Sequence, residues 1–213
     1  MCADNEAQPQ LILEWQPIVR ADSRRLIGAE ALARDSQTMC VPDITDFQIA
    51  HACLERALLE STQLINQSIL AAINVEPSML DVLFNLVEDP AGFLFEITER
   101  GEPNLEVLEK LGKRGFRFAI DDWPLQHAAH NLVVIHEGSI VKISMEFFKA
   151  ENPETLKRAI DTVHSARMEV IIEGIEHAED VSRAILAGAD FLQGNFIGNP
   201  MTLQELEEFL RAA

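Results

Sequence analysis

Two adjacent carboxylates, Asp121 and Asp122, close the run FRFAIDDW from Phe116 to Trp123. A mostly apolar, strand-like stretch that delivers two like charges side by side is costly unless a cation offsets them. That requirement points to bound metal. An isolated pair of this kind is better read as a solvated turn, because aspartate is a common turn former. This pair is not isolated. Other short apolar runs end in, or just before, a polar residue able to bind metal or phosphate: Glu30, Asn74, Glu96, Lys142, Glu173 and Gln193. Glu30, Asn74, Glu96, Asp121 and Asp122 are all hard oxygen donors, suited to Mg²⁺ or Mn²⁺ and unsuited to a soft thiolate metal. Two such ions roughly 3.5–4 Å apart would clamp an in-line phosphoester hydrolysis, activating a water and steadying the leaving oxygen. Taken singly, Glu96 could cap a helix, Asn74 could serve a turn and Lys142 could end a strand at the surface. Their recurrence at successive strand ends favours one shared site.

For these residues to meet, the segments carrying them must lie side by side. Leu11–Val19 reads as a first strand, Ala21–Arg25 as a turn and Leu26–Ala33 as a second strand, close enough for a hairpin. Asp35–Pro42 is a loop, and Ile44–Ser61 has apolar residues at helical spacing with Asp43 or Thr45 as cap. Ile69–Val75 is the third strand. Strand and helix then alternate: a helical stretch from Pro77 to about Val87, a strand at Phe93–Thr98, and an amphipathic helix at Asn104–Arg114 stopped by Gly115. The strand with the aspartate pair follows, then a helix at Gln126–His136, a strand at Ile140–Ser144 and a helix at Pro153–Met168. A strand at Glu169–Glu173, a helix at His177–Ala187 closed by Gly188, a short strand at Phe191–Gln193 and a helix at Leu203–Arg211 complete the chain. Eight strands alternating with helices predict an α/β fold, a closed (β/α)₈ barrel of the TIM type, in which the carboxyl ends of the strands share one face. No GxGxxG or Walker-type glycine loop follows an early strand, which disfavours dinucleotide and nucleotide-triphosphate binding.

Composition narrows the function further. A chain of 213 residues, 47% hydrophobic, reads as one domain over 1–213 with a loose segment at 1–10. No apolar run approaches the roughly eighteen residues needed to span a bilayer, and Met1–Gln10 has no signal core, so a cytoplasmic protein without a membrane partner is expected. Cys2, Cys40 and Cys53 have no CxxC spacing, which supports neither a disulfide framework nor a zinc site. The formal net charge of −18 argues against a DNA or RNA duplex as partner, for want of a basic stripe. An acidic chain can still take a phosphate ligand when bound divalent cations invert the local field.

Together these residues resemble the EAL domain of bacterial cyclic di-GMP phosphodiesterases, over about Leu13 to Pro200. The triplet Glu30-Ala31-Leu32 stands within GAEALAR, preceded by QPIV at Gln16–Val19. INVEP with Asn74, FEITE with Glu96, AIDD with Asp121 and Asp122, VKI with Lys142, IIEGIE with Glu173 and LQG with Gln193 follow in order. The resemblance implies a barrel whose first strand runs antiparallel to the rest, and hydrolysis of cyclic di-GMP to linear pGpG with two Mg²⁺ or Mn²⁺ ions. It implies that Glu30, Asn74, Glu96 and Asp121 hold the first ion, with Asp121 bridging and Asp122 reaching the second. Lys142 would polarise the attacking hydroxide, Glu173 would support the second metal or its water, and Gln193 would hold a water or ligand. Arg34 would grip a substrate phosphate, with Gln16 lining the same pocket.

The chain also departs from that family. A glycine-containing loop that couples the metal site to a dimer interface usually follows the aspartate pair; here Trp123–His130 reads WPLQHAAH, with no glycine. Glycine reaches backbone geometries that Pro124 and Leu125 cannot copy, so the loop must be built differently. His127 and His130 in it are read as surface or packing residues rather than metal ligands. Ser144 replaces a usual aspartate, Asp35 a usual tryptophan, and the gaps Glu30–Asn74 and Asn74–Glu96 are shorter than usual, implying a reduced or missing helix. The rewritten loop leaves open an alternative: a weak or inactive cyclic di-GMP receptor, or a protein-interaction module, with a homodimer contact or a regulatory protein as partner.

Overall fold

The first two strands, β1 (Leu11–Arg20) and β2 (Leu26–Asp35), pair antiparallel, with Gln16 opposite Glu30. The short turn between them is closed by Arg20 N–H donating to the Arg25 carbonyl at 2.9 Å. This computed structural model describes residues 11–42, 46–98, 101–123 and 139–212. Every later neighbour pair is parallel: β3 (Leu70–Val75), β4 (Phe93–Ile97), β5 (Phe118–Trp123), β6 (Ile140–Ile143), β7 (Glu169–Ile172) and β8 (Phe191–Gln193). β8 returns antiparallel to β1, with Ile18 opposite Gln193, and so closes an eight-stranded barrel. The expected antiparallel first strand is there.

Because side chains alternate across a strand, each strand sorts its residues between two environments. The interior holds a small cluster of Ile18, Ala72, Leu94, Ala119, Ile140, Ile171 and Phe191. Their outward neighbours, including Ile73, Phe95, Phe118, Val141, Val170 and Leu192, join the larger core beneath the helices. Two positions beyond Ala72, Leu94, Ala119, Ile140, Ile171 and Phe191 stand Asn74, Glu96, Asp121, Lys142, Glu173 and Gln193. The interior is therefore an apolar layer with a polar layer directly above it, at the carboxyl ends of the parallel strands.

The helices are α1 (Phe47–Ile65), α2 (Leu83–Leu86), α3 (Leu105–Lys113), α4 (Met145–Ala150), α5 (Pro153–Ser165), α6 (Ala178–Ala187) and α7 (Leu203–Ala212). Several differ from their sequence-based bounds. The cap of α1 is Asp46, not Asp43 or Thr45: its carboxylate accepts from Gln48 N–H at 2.7 Å and Ile49 N–H at 3.3 Å. Asp46 alone, on the doorstep of the apolar stripe, can reach both donors. The helix then runs on to Ile65, past Ser61. Pro77–Val87 is not one helix but a 3₁₀ segment, Pro77–Val82, followed by the single turn α2. The helix begun at Pro153 ends at Ser165, short of Met168, because Ala166 leaves the helical conformation. The six-residue α4 has no counterpart among the expected elements. The expected helix at Gln126–His136, and with it His127 and His130, lies outside the described residues.

Candidate metal centre at the barrel mouth

A single ammonium organises the polar layer. Lys142 Nζ lies 2.9 Å from Glu96 Oε2, 2.9 Å from Glu173 Oε1, 3.0 Å from Asp121 Oδ1 and 3.2 Å from Glu30 Oε2. Lys142 is 1% exposed and Glu96 0%, so this charge cluster is held away from solvent and does not end a strand at the surface. Glu30 is fixed from two further sides, Oε1 accepting from Asn74 Nδ2 at 2.8 Å and Oε2 from Gln193 Nε2 at 2.6 Å. Gln193 Nε2 also meets Gln16 Oε1 at 3.2 Å, carrying the network onto β1.

One positive charge does not balance four carboxylates, and the titration of the group reflects it. Burial works against the charged form of Lys142, yet Asp121, Glu173, Glu30 and Glu96 together hold its ammonium well above the usual lysine range. Burial pushes Glu30 up too, but Lys142, Asn74 and Gln193 outweigh it and keep Glu30 ionised. Glu96 goes the other way: burial and the nearby Glu30 and Asp121 charges raise it well above an ordinary carboxyl, against the pull of Lys142. Burial raises Glu173 to about 7, opposed by Lys142 and reinforced by Asp121 and Glu30. Glu96 and Glu173 are thus carboxylates short of positive charge.

The aspartate pair owes its geometry to a bulge. Ile120 pairs with Val141 and Trp123 with Ile143, so Asp121 and Asp122 both stand against the single Lys142. In a regular strand neighbouring side chains point to opposite faces; the extra residue and the left-handed φ of 51° at Asp122 break that rule. One carboxylate oxygen from each of Asp121, Asp122 and Glu173 consequently falls within 4.8 Å of the others. Two buried oxygens in this layer, Glu96 Oε1 and Gln193 Oε1, accept no hydrogen bond. Buried acceptors of that kind call for a cation or an ordered water. An all-oxygen donor set with excess negative charge and unpartnered buried acceptors fits Mg²⁺ or Mn²⁺.

Two clefts open onto the layer, with Asp122 on the border of both. The first, about 290 Å³, runs from Glu30, Asn74 and Asp121 past Arg34 to an aliphatic wall that includes Leu54, Ala57 and Met79. Arg34 is in this cleft rather than in the carboxylate cluster, and its Nε is 3.2 Å from Glu14 Oε2. Cys53 lines the same wall, where burial pushes its thiol up to about 11. The second cleft, about 320 Å³, has Gln16, Glu146, Glu173, Glu176 and Gln193 in its walls. Gln16 was expected beside Arg34 and is not there: the antiparallel course of β1 sets it against Gln193, across the mouth. Lys149 and Asp180 were not anticipated from the sequence; they sit beside this second cleft, on helices that follow β6 and β7.

The family profile for the EAL domain matches residues 3–200. Among curated proteins, the biofilm architecture maintenance protein MbaA of Vibrio cholerae is 26% identical over 238 residues, covering 94% of this chain and 30% of that protein. The cyclic di-GMP phosphodiesterase RocR of Pseudomonas aeruginosa is 25% identical over 233 residues, covering 92% of this chain and 58% of its own length. The chain thus spans between about a third and three fifths of these two relatives. Among solved structures, an EAL-domain protein from Listeria monocytogenes superposes with a TM-score of 0.79 at 21% identity, over 95% of this chain and 93% of that one.

Proposed function

The chain belongs to the EAL-domain family, and from that premise we propose that it is a metal-dependent phosphodiesterase that hydrolyses cyclic di-GMP to linear pGpG by a two-metal mechanism. The observation that carries this reading is the oxygen-only cluster around Lys142, in which four carboxylates face one ammonium. Glu30, Asn74, Glu96 and Asp121 would hold one ion, and Asp121, Asp122 and Glu173 the other. Mg²⁺ or Mn²⁺ in these places supplies Lewis-acid polarisation of a phosphoryl oxygen and lowers the pKa of a water. The substrate follows from the family and from the relative in Pseudomonas aeruginosa that carries this activity in its name.

The reaction adds water across one P–O3′ bond: the hydroxyl goes to phosphorus and the proton to the departing 3′ oxygen. Lys142, pinned by its carboxylates, presents a fixed positive charge where negative charge gathers on the phosphoryl oxygens, and does so without reorganising during the reaction. Arg34 offers a planar fork to a phosphate in the first cleft. To use it fully, Arg34 must share or release Glu14. Gln16 and Gln193, bonded to each other, present amides to a ligand or water on the other side of the mouth.

Incubation of the protein with cyclic di-GMP and Mg²⁺ or Mn²⁺, with products separated by chromatography, tests the reading. Linear pGpG forms with the wild type and is absent with Glu30→Ala and Lys142→Ala. Product that persists at the wild-type rate in both variants would refute the assignment. A second reading, a receptor that binds cyclic di-GMP with little turnover, is favoured by one observation: residues 124–130 read PLQHAAH, without glycine. Tight binding in Ca²⁺ with no product in Mg²⁺ or Mn²⁺ selects it.

A further inference from the structure

Glu173 differs from the other members of the cluster in where its backbone lies. Residues 173–176 belong to neither β7 nor α6, so the sheet ladder alone does not fix them. The upstream part is gripped by its neighbours. Glu173 N–H donates to the Ile143 carbonyl at 3.1 Å, and Gly174, at φ 65°, passes Met145 so closely that a Cβ there would collide with its side chain. Ile175 N–H donates to the Gln193 carbonyl at 3.1 Å and its own carbonyl accepts from Phe196 N–H at 2.9 Å.

The downstream part is held by one side chain. Asp180 Oδ2 accepts from Glu176 N–H at 3.0 Å, from His177 N–H at 3.0 Å and from Lys149 Nζ at 2.7 Å. The two backbone bonds serve the start of α6, as a capping residue does. The lysine does not serve the cap. Lys149 belongs to α4, which begins three residues after Lys142, and its Nζ also lies 3.3 Å from Glu176 Oε2. Asp180 is 8% exposed, so this tie is sheltered on its acidic side. One carboxylate therefore joins the segment that carries Glu173 to the helix that follows the strand carrying Lys142.

We propose that Asp180, braced by Lys149, is a positioning residue for Glu173: it sets the reach of the Glu173 carboxylate toward Asp121 and Asp122. The inference rests on reading those three carboxylates as a cation site. Outer partners that orient a ligating carboxylate change metal affinity or activity by about 10–100-fold when removed.

Titration of the full chain with Mn²⁺, followed through the EPR signal of the free ion, reads the effect without turnover. Asp180→Ala weakens one class of Mn²⁺ site by about 10–100-fold. Asp180→Asn keeps an acceptor for the two backbone N–H groups and loses less. Ile160→Val is the control: Ile160 is buried in α5 beside Gly188, at the end of the barrel away from the mouth. It lowers Tm and leaves Mn²⁺ binding unchanged. If Asp180→Ala does not fold, Lys149→Met, which keeps the α6 cap, carries the test with an expected loss of about tenfold. Wild-type affinity in Asp180→Ala and Lys149→Met, or an equal loss in Ile160→Val, overturns the positioning role alone. A wild type that binds no Mn²⁺ overturns the cation site and this role with it.

Discussion

Replacing Lys142 by methionine separates the two jobs this residue holds. Met fills nearly the same volume along the same stem, so packing changes little. The substitution removes the only positive charge printed within 4 Å of Glu30, Glu96, Asp121 and Glu173. Breaking a buried ion pair from one side costs about 3–5 kcal/mol, because the remaining charge is stranded. For a chain of this size each kcal/mol moves Tm by about 2–4 °C, so the variant in EDTA at pH 8 should melt roughly 6–20 °C below wild type. Acid softens the loss, since Glu96 and Glu173, both already raised, take up protons readily. Mn²⁺ restores positive charge to the same oxygens, and the gap between variant and wild type narrows. Turnover does not return, because the fixed cation beside the phosphoryl group is still missing. Thermal unfolding by circular dichroism in EDTA and in Mn²⁺, with a turnover assay on the same samples, decides the matter. A gap that is absent in EDTA, or that is equal or wider in Mn²⁺, refutes the claim that Lys142 and divalent cations share one set of carboxylates.

The raised carboxylates set a pH dependence of their own. Glu173 titrates near 7 in the folded chain against an ordinary 4.5, so between those values the folded state binds more protons than the unfolded one, and metal-free stability falls as pH rises. Mn²⁺ competes with those protons and reverses the slope; denaturant melts in EDTA that gain stability from pH 5 to 7.5 would sink this account. At the first cleft, Arg34→Ala should raise KM for cyclic di-GMP about tenfold or more with a smaller change in kcat, as expected for loss of a charge-assisted phosphate contact. A kcat loss at unchanged KM would instead place Arg34 at the reacting phosphate alone.

The barrel and most of the mouth were legible in the sequence for one physical reason. Strands buried on both faces leave their inward positions apolar until the carboxyl end, so a polar residue two places after Leu94, Ala119 or Ile140 announces the layer where a site begins. Three things were hidden. The bulge at Asp121–Asp122 depends on how β5 is paired with β6, and no local pattern encodes pairing register. The six residues of α4 span less than two turns, too few for a helical periodicity to emerge. The Lys149–Asp180 tie joins residues 31 apart in sequence. Its only local trace is the spacing from His177 to Asp180, which marks a helix start and says nothing of a lysine.

The substitutions that set this chain apart from the family also turn out to have local work. Ser144 N–H donates to the Trp123 carbonyl at 3.0 Å, and its hydroxyl accepts from Phe147 N–H at 3.3 Å, capping α4. Aspartate and serine cap about equally well. The exchange therefore leaves the helix start intact while withholding a further carboxylate two residues from Lys142, in a cluster already short of positive charge. Asp35 likewise has a structural task that tryptophan could not perform: its Oδ1 accepts from Gln37 N–H, Thr38 N–H and Thr38 Oγ1, folding the chain back after β2. That turn leads into Val41 and Pro42, which wall the first cleft. One departure thus adjusts the charge around Lys142 and the other the shape of the cleft beside Arg34, so each alters the surroundings of the oxygen-donor set without removing a member of it.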